Sequence, residues 1–92
     1  MDRAHDFDRP VVIEFGHAGL LQRVESVRAA REALATGWPT GGRGRAYRAA
    51  LRACHEALAD ELDAEAARRA FIAAALEVGI FVHRETLKRK AR

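Results

Sequence analysis

Residues 63–82, DAEAARRAFIAAALEVGIFV, constrain the fold of this chain more than any other stretch. Apolar residues recur at helical spacing on one side of it and charged residues occupy the rest, which predicts an amphipathic helix. Asp63 is placed to cap the first turn and Gly79 to end the last one. The residues after Gly79 are β-branched and aromatic, so we expect a short buried strand at 80–82. The apolar side of the helix comprises Ala67, Ala70, Phe71, Ala74, Ala75 and Val78.

The N-terminal third predicts a β-hairpin. Residues 1–9 are polar, and we expect a flexible N-terminus from which Phe7 could still reach the core. From Pro10 onward, alternating apolar residues predict a strand with one buried face. A short loop containing two glycines follows at 16–19, and a second apolar-rich run at 20–24 is able to pair back.

The middle of the chain predicts two further helices. Ser26 is a suitable N-cap for a helix over 27–36, which Gly37 and Pro39 would end. Residues 40–44 carry three glycines, and we expect a mobile loop there. A second helix at 45–58 buries one face; that face comprises Tyr47, Ala50, Leu51, Cys54, Ala57 and Leu58.

These elements predict one compact α+β domain at 10–83, followed by a basic tail at 84–92. Its parts are an N-terminal β-hairpin, three helices, and a short C-terminal strand that joins a small antiparallel or mixed sheet. The single cysteine excludes an intrachain disulfide. No signal-peptide pattern opens the chain, and no apolar run approaches the roughly 20 residues of a membrane span. We therefore expect a cytoplasmic protein that does not contact a membrane.

A spaced pattern of mostly apolar residues runs from residue 38 to residue 80. Its members are Trp38, Pro39, Ala50, Cys54, Ala57, Leu58, Ala67, Arg68, Ala70, Phe71, Ile72, Ala75, Gly79 and Ile80. This pattern resembles a small alphaproteobacterial family catalogued as domain of unknown function 982, over about residues 10–82. One departure is Ala59–Asp60, where a glycine would be expected to end the second helix. The resemblance implies a compact α+β domain without an established activity, and so it transfers no functional residues.

Residues with reactive side chains give no catalytic pattern. Cys54 and His55 are adjacent, but neighbouring helical residues point about 100° apart, and Cys54 lies on the apolar face. We therefore predict that Cys54 is a buried structural cysteine. The four histidines lack metal-ligand spacing, and we expect neither a metal nor another cofactor. The glycine loop at 40–44 opens a helix, yet it lacks the preceding strand and the lysine of a P-loop.

The net charge of +3 is unevenly placed. Residues 84–92 carry +4, so the rest of the chain is nearly neutral. An arginine run precedes an acidic run within the body, which makes the chain polarised rather than basic. Candidate contacts to nucleic acid or another anion are Arg43, Arg45, Arg48, Arg52, Lys88, Arg89 and Lys90.

Two classes of function remain open from the sequence, and an enzyme is the weakest alternative. The lack of chemical landmarks, a thin alanine-rich core and an open sheet edge favour a noncatalytic protein–protein interaction module, most naturally a homodimer. The alternative is a nucleic-acid-binding accessory protein that uses the arginine run and the tail.

Overall fold

The computed structural model describes residues 4–15 and 19–82. Two strands precede three helices, which confirms the α+β class and the N-terminal strand pair. The strands are antiparallel neighbours in a two-stranded sheet. The elements are β1 (Asp6–Phe15), β2 (Leu20–Ser26), α1 (Val27–Ala35), α2 (Arg45–Leu58) and α3 (Ala64–Glu77), with a 3₁₀ turn at Thr40–Gly42. Most of the predicted hairpin loop and the whole basic tail lie outside the described residues.

β1 begins at Asp6, ahead of the start near Pro10 that the alternation predicts. The register of the ladder shifts after Asp6, and such an irregularity lets a strand continue where the side chains no longer alternate cleanly. The Val27 amide donates to the His5 carbonyl at 2.9 Å, and Phe7 is buried. The residues expected to be flexible from Asp6 onward are therefore strand residues, because ladder pairing uses backbone groups whatever the side chains are.

The segment after α3 forms one bridge to β1, and the described residues contain no third strand. Phe81 pairs with Ile13 in an isolated antiparallel bridge. Two backbone hydrogen bonds flank it, from the Glu14 amide to the Ile80 carbonyl at 2.8 Å and from the Val82 amide to the Val12 carbonyl at 2.9 Å. The 80–82 segment thus covers the edge of β1 opposite β2 with an isolated bridge, where the sequence predicts a short strand.

α1 begins at the predicted residue and ends at Ala35, one residue before the predicted end. The Ser26 hydroxyl accepts from the Ala29 amide at 3.1 Å, and Gly37 takes a φ of 84° after the last turn. The Tyr47 hydroxyl donates to the Leu34 carbonyl at 2.8 Å. Because carbonyls of a last helical turn have no partner within the helix, this bond both satisfies α1 and joins it to α2.

α2 has the predicted bounds, and Asp60, just past its C-cap Ala59, adopts a φ of 62°. The Glu61 amide donates to the Glu56 carbonyl at 2.8 Å, and the Asp60 amide donates to the Ala57 carbonyl at 3.0 Å. These two bonds form a Schellman motif, in which the left-handed position is usually glycine. Asp60 occupies that position here, so the helix ends without the glycine that the family resemblance led us to expect.

α3 begins at the predicted cap, where the Asp63 carboxylate accepts from the Ala66 amide at 2.9 Å. It ends in a second Schellman motif at Gly79, whose φ is 74°. Its buried residues are Ala67, Phe71, Ala74 and Ala75, and these belong to the predicted apolar side.

Trp38 lies at the centre of the core and is 2% exposed. Its ring centroid lies 6.3 Å from that of Phe15, 6.1 Å from that of Tyr47 and 5.6 Å from that of Phe71. These rings come from β1, α2 and α3, so one side chain between α1 and α2 joins the sheet to the helices. Small buried alanines on α2 and α3 allow those two helices to pack closely around this cluster.

Candidate functional site

The predicted arginine run divides into two parts. Arg45, Arg48 and Arg52 are exposed on the outer face of α2, and none forms a salt bridge with another described residue. The guanidinium carbon of Arg43 instead lies 5.6 Å from the centre of the Tyr47 ring. Arg43 also donates to the Trp38 carbonyl at 3.5 Å, so this exposed arginine contacts two core residues. Lys88, Arg89 and Lys90 lie outside the described residues.

The glycine-rich loop is packed, where its composition predicts a mobile segment. Thr40–Gly42 forms a 3₁₀ turn, and Gly42 is buried against Val78 of the α3 C-cap. The Trp38 indole N–H donates to the Gly42 carbonyl at 3.3 Å. Close packing of Gly42 against Val78 requires a residue without a side chain, so this glycine permits contact rather than motion.

The N-terminus of α2 faces a carboxylate from the end of α3. Both carboxylate oxygens of Glu77 lie 3.6 Å from the position that a Cβ on Gly44 would occupy. An acidic side chain is favourable at the positive end of a helix dipole, and it would repel a phosphate from the same place. This charge arrangement opposes phosphate binding by the loop.

Cys54 is fully buried on the inner face of α2, which confirms the structural reading of this residue. Burial raises the pKa of its thiol to about 11, and the Arg31 guanidinium opposes that shift to a smaller degree. Because the thiolate is the nucleophilic form, this thiol is poorly suited to catalysis. His55, its neighbour in the chain, is exposed.

The titratable residues form no recognisable metal centre within the described ranges. No group of three or more histidine, cysteine or acidic residues is placed there to hold a metal ion. His5 instead donates from its Nε2 to the Asp60 carboxylate at 2.9 Å, while His17 and His83 lie outside the described residues. Over the same ranges, the helices are too short or too polar to cross a bilayer.

The second strand presents an exposed sheet edge. The first four residues of β2 are exposed, although strands that cover a core usually bury every second side chain. Leu20 is 66% exposed and Leu21 is 43% exposed. In the part of the chain that the structure describes, no strand pairs with the edge of β2 that faces away from β1.

The profile of the family described as "Protein of unknown function (DUF982)" matches residues 9–82. The chain belongs to this family. The resemblance seen in the sequence is therefore confirmed over the region that contains every described helix and most of the sheet. No curated protein and no solved structure matches the chain. Membership in DUF982 supplies a family without an activity, so the function has to be argued from the surface of the domain.

One feature of the DUF982 region has no counterpart in the sequence pattern. Arg9, Arg23 and Arg68 line a single groove with a volume of about 310 Å³. They come from β1, β2 and α3, far apart in the chain, so no spacing rule predicts their association. The helical pattern places Arg68 off the apolar side of α3, yet its side chain is only 12% exposed.

Proposed function

We propose that this domain is a noncatalytic protein–protein interaction module that forms a homodimer through the free edge of β2. The observation that carries the proposal is the exposure of Leu20 and Leu21 on an edge strand that has no described neighbour. A row of unpaired backbone groups beside exposed leucines is a surface on which another strand can pair. A second copy of the chain supplies an identical edge, which is the simplest symmetric partner.

The backbone groups available on this edge follow from the pairing of β1. The Glu14 amide and the Val12 carbonyl bond to the 80–82 segment, so the alternate residues of β1 direct their groups toward β2. Ile13 is paired with Gln22, which therefore bonds inward. The intervening β2 residues Leu21 and Arg23 direct their N–H and C=O groups outward, where a second strand would meet them.

The edge of β2 also has only part of the usual protection against pairing, because it carries charged residues but no proline, lysine or bulge. Natural edge strands carry prolines, lysines or bulges that prevent sheet extension. β2 reads LLQRVES and contains neither proline nor lysine, and the irregularity of the ladder lies between Asp6 and Val11 of β1. Arg23 and Glu25 are the charges on the strand, and they lie 3.7 Å apart at exposed positions. Opposite charges of this kind permit antiparallel pairing with an identical strand.

Light scattering behind size exclusion tests the proposal. The natural chain should be a dimer at high micromolar concentration, and Leu21→Lys should shift it to monomer because a lysine on the edge opposes pairing. Leu76→Lys is the matched control, since Leu76 on α3 is also exposed, at 51%. A natural chain that remains monomeric overturns the proposal. Dissociation by Leu76→Lys with no effect of Leu21→Lys overturns the assignment to β2.

Proline substitutions separate loss of the dimer from loss of the hairpin. Arg23→Pro removes an outward N–H and should dissociate the dimer while the strand pair persists, since edge strands tolerate proline on the solvent side. Gln22→Pro removes an N–H that bonds to β1 and should lower the free energy of unfolding as well. Equal destabilisation by both substitutions would contradict the assigned direction of the backbone groups.

A second candidate function is nucleic-acid binding by Arg45, Arg48 and Arg52 together with the tail. The observation favouring it is the exposure of these arginines without an acidic partner among the described residues. Replacing the three with glutamine should weaken binding to a short mixed-sequence duplex and reduce its salt dependence. Absence of binding by the natural chain at low salt removes this candidate.

A further inference from the structure

The groove lined by Arg9, Arg23 and Arg68 lies where the sheet, α3 and the segment after α3 meet. It is separate from the exposed arginines of α2, and it shares Arg23 with the free edge of β2. The remaining lining is apolar and is supplied by Pro10, Val12, Phe81 and Val82. Charged and apolar groups thus share one concave surface whose volume is about 310 Å³.

Arg68 gives the groove its most unusual charge. Its side chain is 12% exposed, and its Nε donates to the Arg9 carbonyl at 2.9 Å. Its terminal nitrogen lies 3.5 Å from a carboxylate oxygen of Glu65, and that same oxygen lies 3.5 Å from Arg69. A largely buried guanidinium is stabilised only when its charge is well paired. One carboxylate divided between two arginines at these distances leaves positive charge at the groove.

The other two arginines add to that charge. The Arg9 side chain forms no salt bridge with a described residue. Arg23 lies 3.7 Å from Glu25, and both side chains are about two-thirds exposed, so solvent screens most of their attraction. Three arginines with incomplete neutralisation therefore line the groove. Guanidinium is the side-chain group best shaped to bind carboxylate or phosphate through paired hydrogen bonds.

We propose that this groove binds a small oxyanion that carries an apolar body, with the arginines holding a carboxylate or phosphate and the apolar residues holding the rest. The volume is at the lower end of the usual range for small-molecule sites, about 300–1,000 Å³, which favours a ligand with a single ring or short chain. The apolar lining distinguishes this ligand from inorganic phosphate or acetate. This proposal does not depend on the dimer.

The chain beyond Val82 is a poor occupant for the groove on electrostatic grounds. Val82 lines the groove and is the last described residue. The residues that follow carry five basic side chains against Glu85. A segment of that charge gains no electrostatic attraction from a groove lined by arginines.

Backbone chemical shifts of the full chain test the proposal with four defined probes. Phenyl phosphate and benzoate carry both an oxyanion and a ring, inorganic phosphate lacks the ring, and benzyl alcohol lacks the charge. We expect saturable shifts at the Val12 and Val82 amides with phenyl phosphate or benzoate. Inorganic phosphate should bind at least about tenfold more weakly because it lacks the apolar burial, and benzyl alcohol should do so because it lacks the charged hydrogen bonds. Whichever of phenyl phosphate and benzoate binds with the lower Kd shows whether phosphate or carboxylate is the preferred head group.

Substitutions locate the site and provide the control. Arg9→Gln and Arg23→Gln should each weaken binding of phenyl phosphate by about tenfold, the size expected for one lost charged hydrogen bond. Arg68→Lys keeps the charge and tests the paired geometry of the guanidinium. Arg28→Gln, at an exposed position on α1, should leave the affinity unchanged.

Three outcomes overturn the proposal. Equal affinity for inorganic phosphate and phenyl phosphate removes the apolar component. Shifts centred on Arg48 and Arg52 place the anion on α2 instead. If Arg9→Gln and Arg23→Gln weaken binding no more than Arg28→Gln does, the effect is one of general charge and there is no site.

Discussion

Gly42 lies directly against Val78, so the loop before α2 and the end of α3 pack as one unit. A Cβ on Gly42 would come within 2.8 Å of the Val78 Cβ and would overlap the Val78 methyl group. Trp38 joins the same arrangement through its hydrogen bond to the Gly42 carbonyl. The loop at 40–44, which its glycine content predicts to be mobile, is therefore packed where the ends of the three helices meet.

Gly42→Ala should lower the free energy of unfolding by about 1–3 kcal/mol, because an added methyl group has no space beside Val78. Gly41→Ala is the matched control, since a Cβ there meets nothing within 4 Å. Urea unfolding measures both. Combining Gly42→Ala with Val78→Ala should recover part of the loss, and strictly additive effects would contradict direct contact.

Gly79→Ala should destabilise the domain by about 1 kcal/mol, because the left-handed backbone disfavours a Cβ even though there is room for one. Asp60→Gly at the end of α2 should act in the opposite direction, by relieving the same backbone cost. Loss of the contact between Asp60 and His5 offsets part of that gain. Thermal unfolding measures the effects of both substitutions. If Asp60→Gly is destabilising, the His5 contact outweighs the backbone cost.

Tyr47→Phe removes the hydrogen bond to the Leu34 carbonyl and leaves that carbonyl buried without its partner. The expected loss is about 1–2 kcal/mol, the usual cost of an unsatisfied buried group. Equilibrium unfolding followed by Trp38 fluorescence reports the change, because Trp38 lies beside Tyr47. A change near zero would indicate that water replaces the hydroxyl.

Cys54 predicts a loss of stability at alkaline pH. Burial raises the pKa of its thiol from 9.0 to about 11, so the folded state holds the proton more tightly than the unfolded state does. The protonated thiol makes its full contribution to the free energy of unfolding below pH 9. That contribution declines as the pH rises toward 11, by about 3 kcal/mol at most. Between pH 8 and 11, the free energy of unfolding of the natural chain should therefore fall relative to that of Cys54→Ala. A constant difference would contradict the raised pKa.

Local signals in the sequence located the helices with good accuracy. The bounds of α2 match the predicted 45–58, and Ser26 and Asp63 cap α1 and α3 as predicted. Caps, left-handed glycines and helical periodicity act between residues a few positions apart, so they can be read without knowing the rest of the fold. The same locality identified Cys54 as a core residue.

Contacts between distant segments decided what the sequence could not. Asp6 joins the sheet because β2 supplies a partner, and Gly42 is fixed because Val78 lies against it. The groove of Arg9, Arg23 and Arg68 exists only because two strands and a helix converge. The sequence determined which residues form helices, since that choice is made by near neighbours; tertiary packing determined the sheet edge and the groove, since those surfaces are made by residues that the chain keeps far apart.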